Sequence, residues 1–174
     1  KKIKKKKIKI KNRIGFVGNY WKKKRPEIFF KFADKLVSQK KNFQFYFIGN
    51  ISNKNIKLIY EQYPNLKKKL IFTKYLLNPY NLIQTCKIII CPAINEGFGR
   101  VPLEAGYLNV PCVISYHGGH KEFKKYNMCL YAKGNSEDSY LKIYKKALNS
   151  KIKKKLIKNT IKYNKNFTLP NIHV

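Results

Sequence analysis

Short apolar runs alternate with longer amphipathic stretches along most of this chain. The runs "RIGFV" (13–17), "FQFYFI" (43–48), "KLIFT" (69–73), "KIIIC" (87–91), "PCVIS" (111–115) and "MCLYA" (128–132) are too short for helices and nearly continuous in apolar character. Such runs predict strands covered on both faces, as in parallel sheets. Between the first two, "PEIFFKFADKLVSQKK" places apolar residues at 28, 29, 32, 33, 36 and 37 behind an early proline, a helical stripe. "NKNIKLIYEQY", a short "NPYNLIQTC" and "GRVPLEAGYLN" read as further helices, and helical patterns recur at about 137–149 and 151–165. The alternation predicts an α/β fold, a doubly wound parallel sheet of about six strands with helices on both faces. Residues 1–12, "KKIKKKKIKIKN", read as a basic linker, and 13–174 as one domain, since 174 residues suit one core and not two.

Composition changes this picture little. The longest apolar runs fall far short of the roughly 20 residues that cross a bilayer, so a soluble or peripheral protein is expected. The chain opens on lysine with no hydrophobic leader, which points to the cytoplasm and to a trimmed or partial chain. Cys86, Cys91, Cys112 and Cys129 fall at no metal-ligand spacing and read as core thiols in a reducing compartment.

Charge is the anomaly. The chain carries 39 basic residues against eight acidic ones, a net charge of +31. Clustered cations invite a nucleic-acid reading, yet only Arg13, Arg25 and Arg100 are arginine, the preferred bidentate reader of phosphate and guanine. The lysines are spread over the whole length, the pattern of drifting surface positions in an AT-rich coding sequence. Solvated surface lysine is the leading reading, ahead of peripheral contact with an anionic membrane and of nucleic-acid binding.

Against so few acids, "NEGFGRVPLEAG" (95–106) stands out because it holds two, Glu96 and Glu104. Pro92 ends the preceding strand, and Gly97 and Gly99 let the backbone turn and approach a ligand. The helix that follows offers free N–H groups and a positive dipole end, suited to an anion such as a diphosphate. Glu104 would repel phosphate at contact, so it belongs further along the ligand, where it can accept hydrogen bonds from a vicinal diol such as a ribose. Glu96, across the glycine turn, would meet hydroxyls of a sugar attached to that diphosphate.

The stretch "NEGFGRVPLEAGYLNVPCVISYHGGHKEF" resembles the Glu-x7-Glu region of retaining GT-B glycosyltransferases of family 4, the glycosyl transferases group 1. The likeness runs from about Arg13 to Phe167 and includes "VGNYWKKKRPEIFFKFADKL", similar to the family's first strand, loop and lysine-bearing helix entry. It implies a Rossmann-like, nucleotide-sugar-binding C-terminal half of a GT-B fold, with the N-terminal acceptor domain as partner. It further implies that Glu104 binds the donor ribose, that Glu96 contacts the transferred sugar near the reacting carbon, and that Gly97, Phe98, Gly99 and Arg100 offer backbone amides to the donor. A basic pair from the first loop, after Gly18, neutralises the leaving diphosphate in this family. Lys24 matches its lysine, while Asn19 stands where arginine is usual, leaving Arg25, Lys22 or Arg100 to compensate. No cofactor and no metal are expected, and the chain has no Asp-x-Asp. A degenerate GT-B-like module that uses its basic surface for RNA or another polyanion is the alternative, and a related epimerase or phosphorylase a third.

Around this motif, Gly118 and Gly119 are expected to shape the loop after the fifth strand and Glu122 to start a helical turn. His117 and His120 lack a third metal ligand and read as loop packing. Tyr20 and Trp21 read equally as a shield for the donor, a contact with a partner domain or plain surface aromatics, and Thr73–Leu76 are expected to line the base through backbone groups. The closing helix carries an apolar face at Ile152, Leu156, Ile157 and Ile161 that a missing domain would leave partly exposed.

Overall fold

A computed structural model describes residues 12–134 and 136–166. Apart from Asn12, the linker assigned to residues 1–12 lies outside the described residues, as do residues 167–174 of the domain. Six strands, β1 (Arg13–Val17), β2 (Gln44–Ile48), β3 (Leu70–Phe72), β4 (Ile88–Cys91), β5 (Cys112–Ser115) and β6 (Leu130–Ala132), form one sheet in the order β3-β2-β1-β4-β5-β6. Every neighbouring pair is parallel. The winding direction reverses between β1 and β4, so their carboxyl ends open a crevice where ligands of such sheets bind.

The helices are α1 (Pro26–Ser38), α2 (Asn53–Gln62), α3 (Tyr80–Ile83), α4 (Arg100–Tyr107), α5 (Glu137–Leu148) and α6 (Ser150–Asn166). Pro26 occupies the first turn of α1, and the Ser52 hydroxyl caps α2 by accepting the Asn55 N–H at 3.2 Å. One element departs from the sequence reading. Gly118–Tyr126, expected as a loop with one helical turn, is a nine-residue 3-10 helix. Its inward residues His120 and Phe123, with Tyr126 packed behind them, recur every third position, the period of three residues per turn.

Strand alternation divides the core between the two faces of the sheet. Ile88 and Ile90 join Phe16, Phe29, Phe30, Phe45 and Phe47 beneath α1, α2 and α5, with the Phe16 and Phe47 rings stacked at 4.8 Å. Ile89 and Cys91 turn to the other face with Leu103, Ile114 and Phe123 beneath α3, α4 and the 3-10 helix. All four cysteines are free and buried on this second side. On α6, Leu156 is buried and Ile161 is exposed. No helix among the described residues is long and apolar enough to cross a membrane.

Candidate functional site

Three loops at the carboxyl ends of the strands build the site. After β1 the chain passes Gly18 and Asn19, forms a 3-10 turn over Lys22–Lys24, and enters α1 through Arg25, whose φ of 51° is left-handed. The Asn19 side chain accepts the Asn50 N–H at 3.0 Å, which fastens this loop to the one after β2. On its other flank the Ile94 N–H donates to the Lys23 carbonyl at 2.8 Å, tying the turn to the loop after β4. These two anchors carry Lys24 to Glu96, Nζ to Oε1 at 2.7 Å.

The loop after β4 is buttressed from behind by the loop after β5. The Gly119 N–H donates to the Glu96 carbonyl at 2.8 Å, and Phe98, itself partly exposed, packs edge-on against Phe123 with ring centres 5.5 Å apart. The two backbones touch so closely that a Cβ on Gly119 would lie 1.5 Å from the Gly97 carbonyl oxygen. Gly99, at φ 72°, then opens α4 from a left-handed conformation. A cavity of about 30 Å³ results, walled by Lys24, Glu96, Gly99, Arg100 and His120 over Cys91.

Electrostatics mark the same place. Glu96 Oε1 is buried against the Lys24 ammonium at 2.7 Å, and the carboxylate keeps further lone pairs for a ligand. Glu104, one turn beyond Arg100 on α4, has its carboxyl raised by burial, against the pull of Arg100 and Lys24. His120 is 2% exposed, and burial lowers its imidazole to about 4. The Ser115 hydroxyl donates to the Ala93 carbonyl in a short bond, which leaves Ser115 Oγ to accept the His120 Nδ1–H at 3.1 Å. That network assigns the Nε2 of His120 as the acceptor nitrogen, directed at Gly99, where an added Cβ would come within 2.8 Å.

Of the residues singled out in the sequence, Lys24, Glu96, Gly99 and Arg100 share one cavity, and Glu104 stands on the helix that starts there. Gly97 is exposed, and nothing lies within 4 Å of the position its Cβ would take. Gly18 lies behind Lys24, a Cβ there falling 3.4 Å from Lys24 Cδ. The side chains of Asn19 and Arg25 are engaged elsewhere, Asn19 with Asn50 and the Arg25 Nε with Glu27 Oε1 at 3.3 Å. Trp21 is exposed beside Lys23, while Tyr20 leans on Phe30. His120 was not singled out as a site residue; its signal was the threefold spacing of His120, Phe123 and Tyr126. Among the described residues no three His, Cys, Asp or Glu side chains are grouped to hold a metal ion.

Comparison with known proteins agrees with this fold. No curated protein matches the chain by sequence. Among solved structures, Anabaena HepE in complex with UDP and glucose superposes with a TM-score of 0.75 at 17% identity, over 91% of this chain and 45% of HepE. WaaG, a glycosyltransferase involved in lipopolysaccharide biosynthesis, gives 0.76 at 18% identity, over 92% of this chain and 44% of WaaG. The C-terminal domain of LpcC from Francisella tularensis, a glycosyl transferase group 1 family protein, gives 0.70 at 20% identity and is itself 88% covered. This chain therefore spans less than half the length of HepE and WaaG. The sequence profile described as glycosyl transferases group 1 matches residues 1–166, and the chain belongs to that family.

Proposed function

We propose that this chain is the donor-binding half of a retaining glycosyltransferase that moves a sugar from a nucleotide diphosphate to a glycan, a lipid carrier or a similar acceptor. The observation that carries the reading is the Lys24–Glu96 ion pair, 2.7 Å from Nζ to Oε1, beside the start of α4. In this reading the diphosphate lies over the first turn of α4, with Lys24 and Arg100 as counter-charges. Glu104 accepts the ribose hydroxyls, and Glu96 accepts a hydroxyl of the transferred sugar on a lone pair that Lys24 does not occupy. As the bond from the anomeric carbon to the diphosphate oxygen breaks, positive charge grows on the sugar and negative charge on the leaving group. A fixed carboxylate and a fixed ammonium stabilise the two ends, and no bound metal is required.

The HepE structures with UDP, glucose and UDP-glucose support a nucleotide-sugar donor. Correspondence with the separately solved LpcC domain supports the assignment to a C-terminal half. An N-terminal acceptor domain is the natural partner, and the chain alone binds donor but transfers little. The proposed setting is the cytoplasm, at or near the inner face of an anionic membrane.

Thermal stabilisation by UDP, GDP, ADP and their sugars tests the reading, with Glu104→Ala and pyrophosphate as controls. A ligand at 100 times its Kd adds about 2.7 kcal/mol, a shift of several degrees. One nucleotide should stabilise the wild type and not the variant. Equal effects of all polyanions, indifferent to Glu104, would overturn it in favour of a basic polyanion-binding module.

A further inference from the structure

Lysine alone singles out no face of this chain, but the closing helix α6 differs from the rest of the surface in having no acids. Its 17 residues hold seven lysines and neither Asp nor Glu. Asp138 is the last acid of the sequence, whereas α1, α2, α4 and α5 each carry at least one. Lys24, Arg25, Lys35 and Lys57 have carboxylate partners, and no ion pair among the described residues reaches α6. Glu122 acts on Tyr163, which is buried on the core side of the helix.

Leu156, Thr160 and Tyr163 face inward. Ile157 and Ile161, one turn apart, therefore fall on a flank of α6 beside Lys154 and Lys158, and together they line a groove of about 500 Å³ that reaches Asn109. Ile161 is 37% exposed. The contacts that place α6 come from segments leading into the amino ends of strands. Asn109 precedes β5, and Asn127, whose carbonyl accepts from Asn159 Nδ2 at 3.0 Å, precedes β6. Lys87 precedes β4, and burial together with Lys87 lowers the Lys153 ammonium at the groove, two cations without a carboxylate between them. The groove thus lies at the end of the sheet away from the donor crevice. A domain that closes over the crevice does not reach it, so the exposure of Ile161 is not explained by the missing domain to which the sequence pointed.

We propose that this flank of α6 rests on an anionic lipid bilayer, with Ile157 and Ile161 entering the headgroup region and Lys153, Lys154 and Lys158 meeting the lipid charges. Clusters of roughly four to eight lysines on a helix favour such surfaces, and apolar side chains among them add burial at the interface. A second copy of this chain would set lysines against lysines. RNA would take the lysines but leave both isoleucines in water. Among the described residues the other exposed aliphatic side chain on a helix, Leu58, lies on α2, where Glu61 pairs with Lys57 at 4.0 Å. The inference supplies the contact surface for the membrane setting proposed above and does not depend on the donor site.

The test is co-sedimentation of the purified chain with phosphatidylcholine vesicles, with and without phosphatidylserine, at about 150 mM salt, where distant surface charge is screened. The chain should bind the mixed vesicles and not the neutral ones. A lysine near an anionic surface is worth about fivefold in partitioning, so Lys154→Gln, Lys158→Gln and Lys162→Gln combined should weaken binding more than tenfold. Lys54→Gln, Lys121→Gln and Lys133→Gln combined remove the same charge from exposed positions outside α6 and should change it by less than about twofold. Trp21, the single tryptophan, stands in the loop after β1 at the opposite end of the sheet, so its emission should not shift on vesicles. Ile161→Trp should add a blue-shifted component. Equal losses in the two lysine variants, a shift of Trp21 or an unshifted Ile161→Trp would overturn the inference. So would transfer RNA binding that depends on the α6 lysines when vesicles do not bind. If UDP stabilises the chain but no vesicle binds it, this inference alone falls; vesicle binding without any nucleotide effect leaves it standing and removes the donor reading.

Discussion

Replacing Gly119 by alanine should separate the buttress of the site from its ligand-facing side. The new methyl would lie 1.5 Å from the Gly97 oxygen, 2.6 Å from its carbonyl carbon and 3.1 Å from Phe98 Cα, all backbone atoms that no rotamer change can move away. Restoring the 3.4 Å of ordinary contact requires the two loops to part by about 2 Å. That movement breaks the bond from the Gly119 N–H to the Glu96 carbonyl and draws Glu96 off Lys24. A lost hydrogen bond costs about 1 kcal/mol, and overpacking about 1–3 kcal/mol more. For a domain of this size the melting temperature should fall by roughly 5–15 °C. Gly97→Ala is the matched control, since its methyl meets nothing within 4 Å. Its stability should stay within about 0.5 kcal/mol of wild type, while nucleotide-sugar stabilisation weakens, because the methyl enters the space assigned to the ligand. Circular dichroism melts with and without ligand read both effects. An unchanged melting temperature for Gly119→Ala, or an equal loss in both variants, would refute the account of these loops.

Two further predictions concern charge. His120 is held neutral with its pKa near 4, against an ordinary 6.5, so the unfolded chain takes the proton first as pH falls. Stability is then full above about pH 6.5 and drains toward pH 4, by on the order of 3 kcal/mol across the window. His120→Leu should flatten that slope in urea melts taken between these values, and an unaltered slope would show that the ring titrates as it does in water. Burial raises the Glu104 pKa, so the folded state binds its proton more readily, and the charged form costs stability above the folded pKa. Glu104→Gln should therefore raise the melting temperature of the unliganded chain at pH 7, by the roughly 0.5–2 kcal/mol common for relieved functional sites, while weakening nucleotide stabilisation. A fall in that temperature would sink the prediction.

The strands and helices were legible because each answers to a local pattern. "KIIIC" admits no exposed face, and the stripe through Phe29, Phe32, Ala33 and Leu36 admits only one. Glu96, Glu104 and Lys24 were legible because the glycine turn and its flanking residues form one continuous motif. The partner of Asn19 was not, because it follows from a contact between loops distant in sequence. A Cβ on Gly49 would lie 2.2 Å from the Gly18 oxygen, and this backbone contact carries Asn50 to Asn19. His120 read as loop packing because its segment follows a period of three, which matches neither the helix nor the strand template.

Local strain follows the same geography. Among the described residues, six other than glycine have positive φ. Lys40, Asn109 and Asn127 follow or close helices, where a left-handed residue is a common ending. Arg25 closes the Lys22–Lys24 turn, and Lys74 and Asn95 close no helix; all three lie in loops at the carboxyl ends of the strands, after β1, β3 and β4. Arg25 and Lys74 lack the short polar side chain that eases such a conformation, and each costs on the order of 1–2 kcal/mol. To these the same rim adds a half-buried carboxylate at Glu104, a second carboxylate held against Lys24 at Glu96 and an imidazole kept neutral at His120. None of these features improves the core, whose apolar runs and aromatic contacts agree at every level. Departures from local preference gathered at the switch point of a doubly wound sheet are intelligible when a ligand supplies the missing partners. They give a physical reason for two of only eight acids to stand together in a chain of 39 cations.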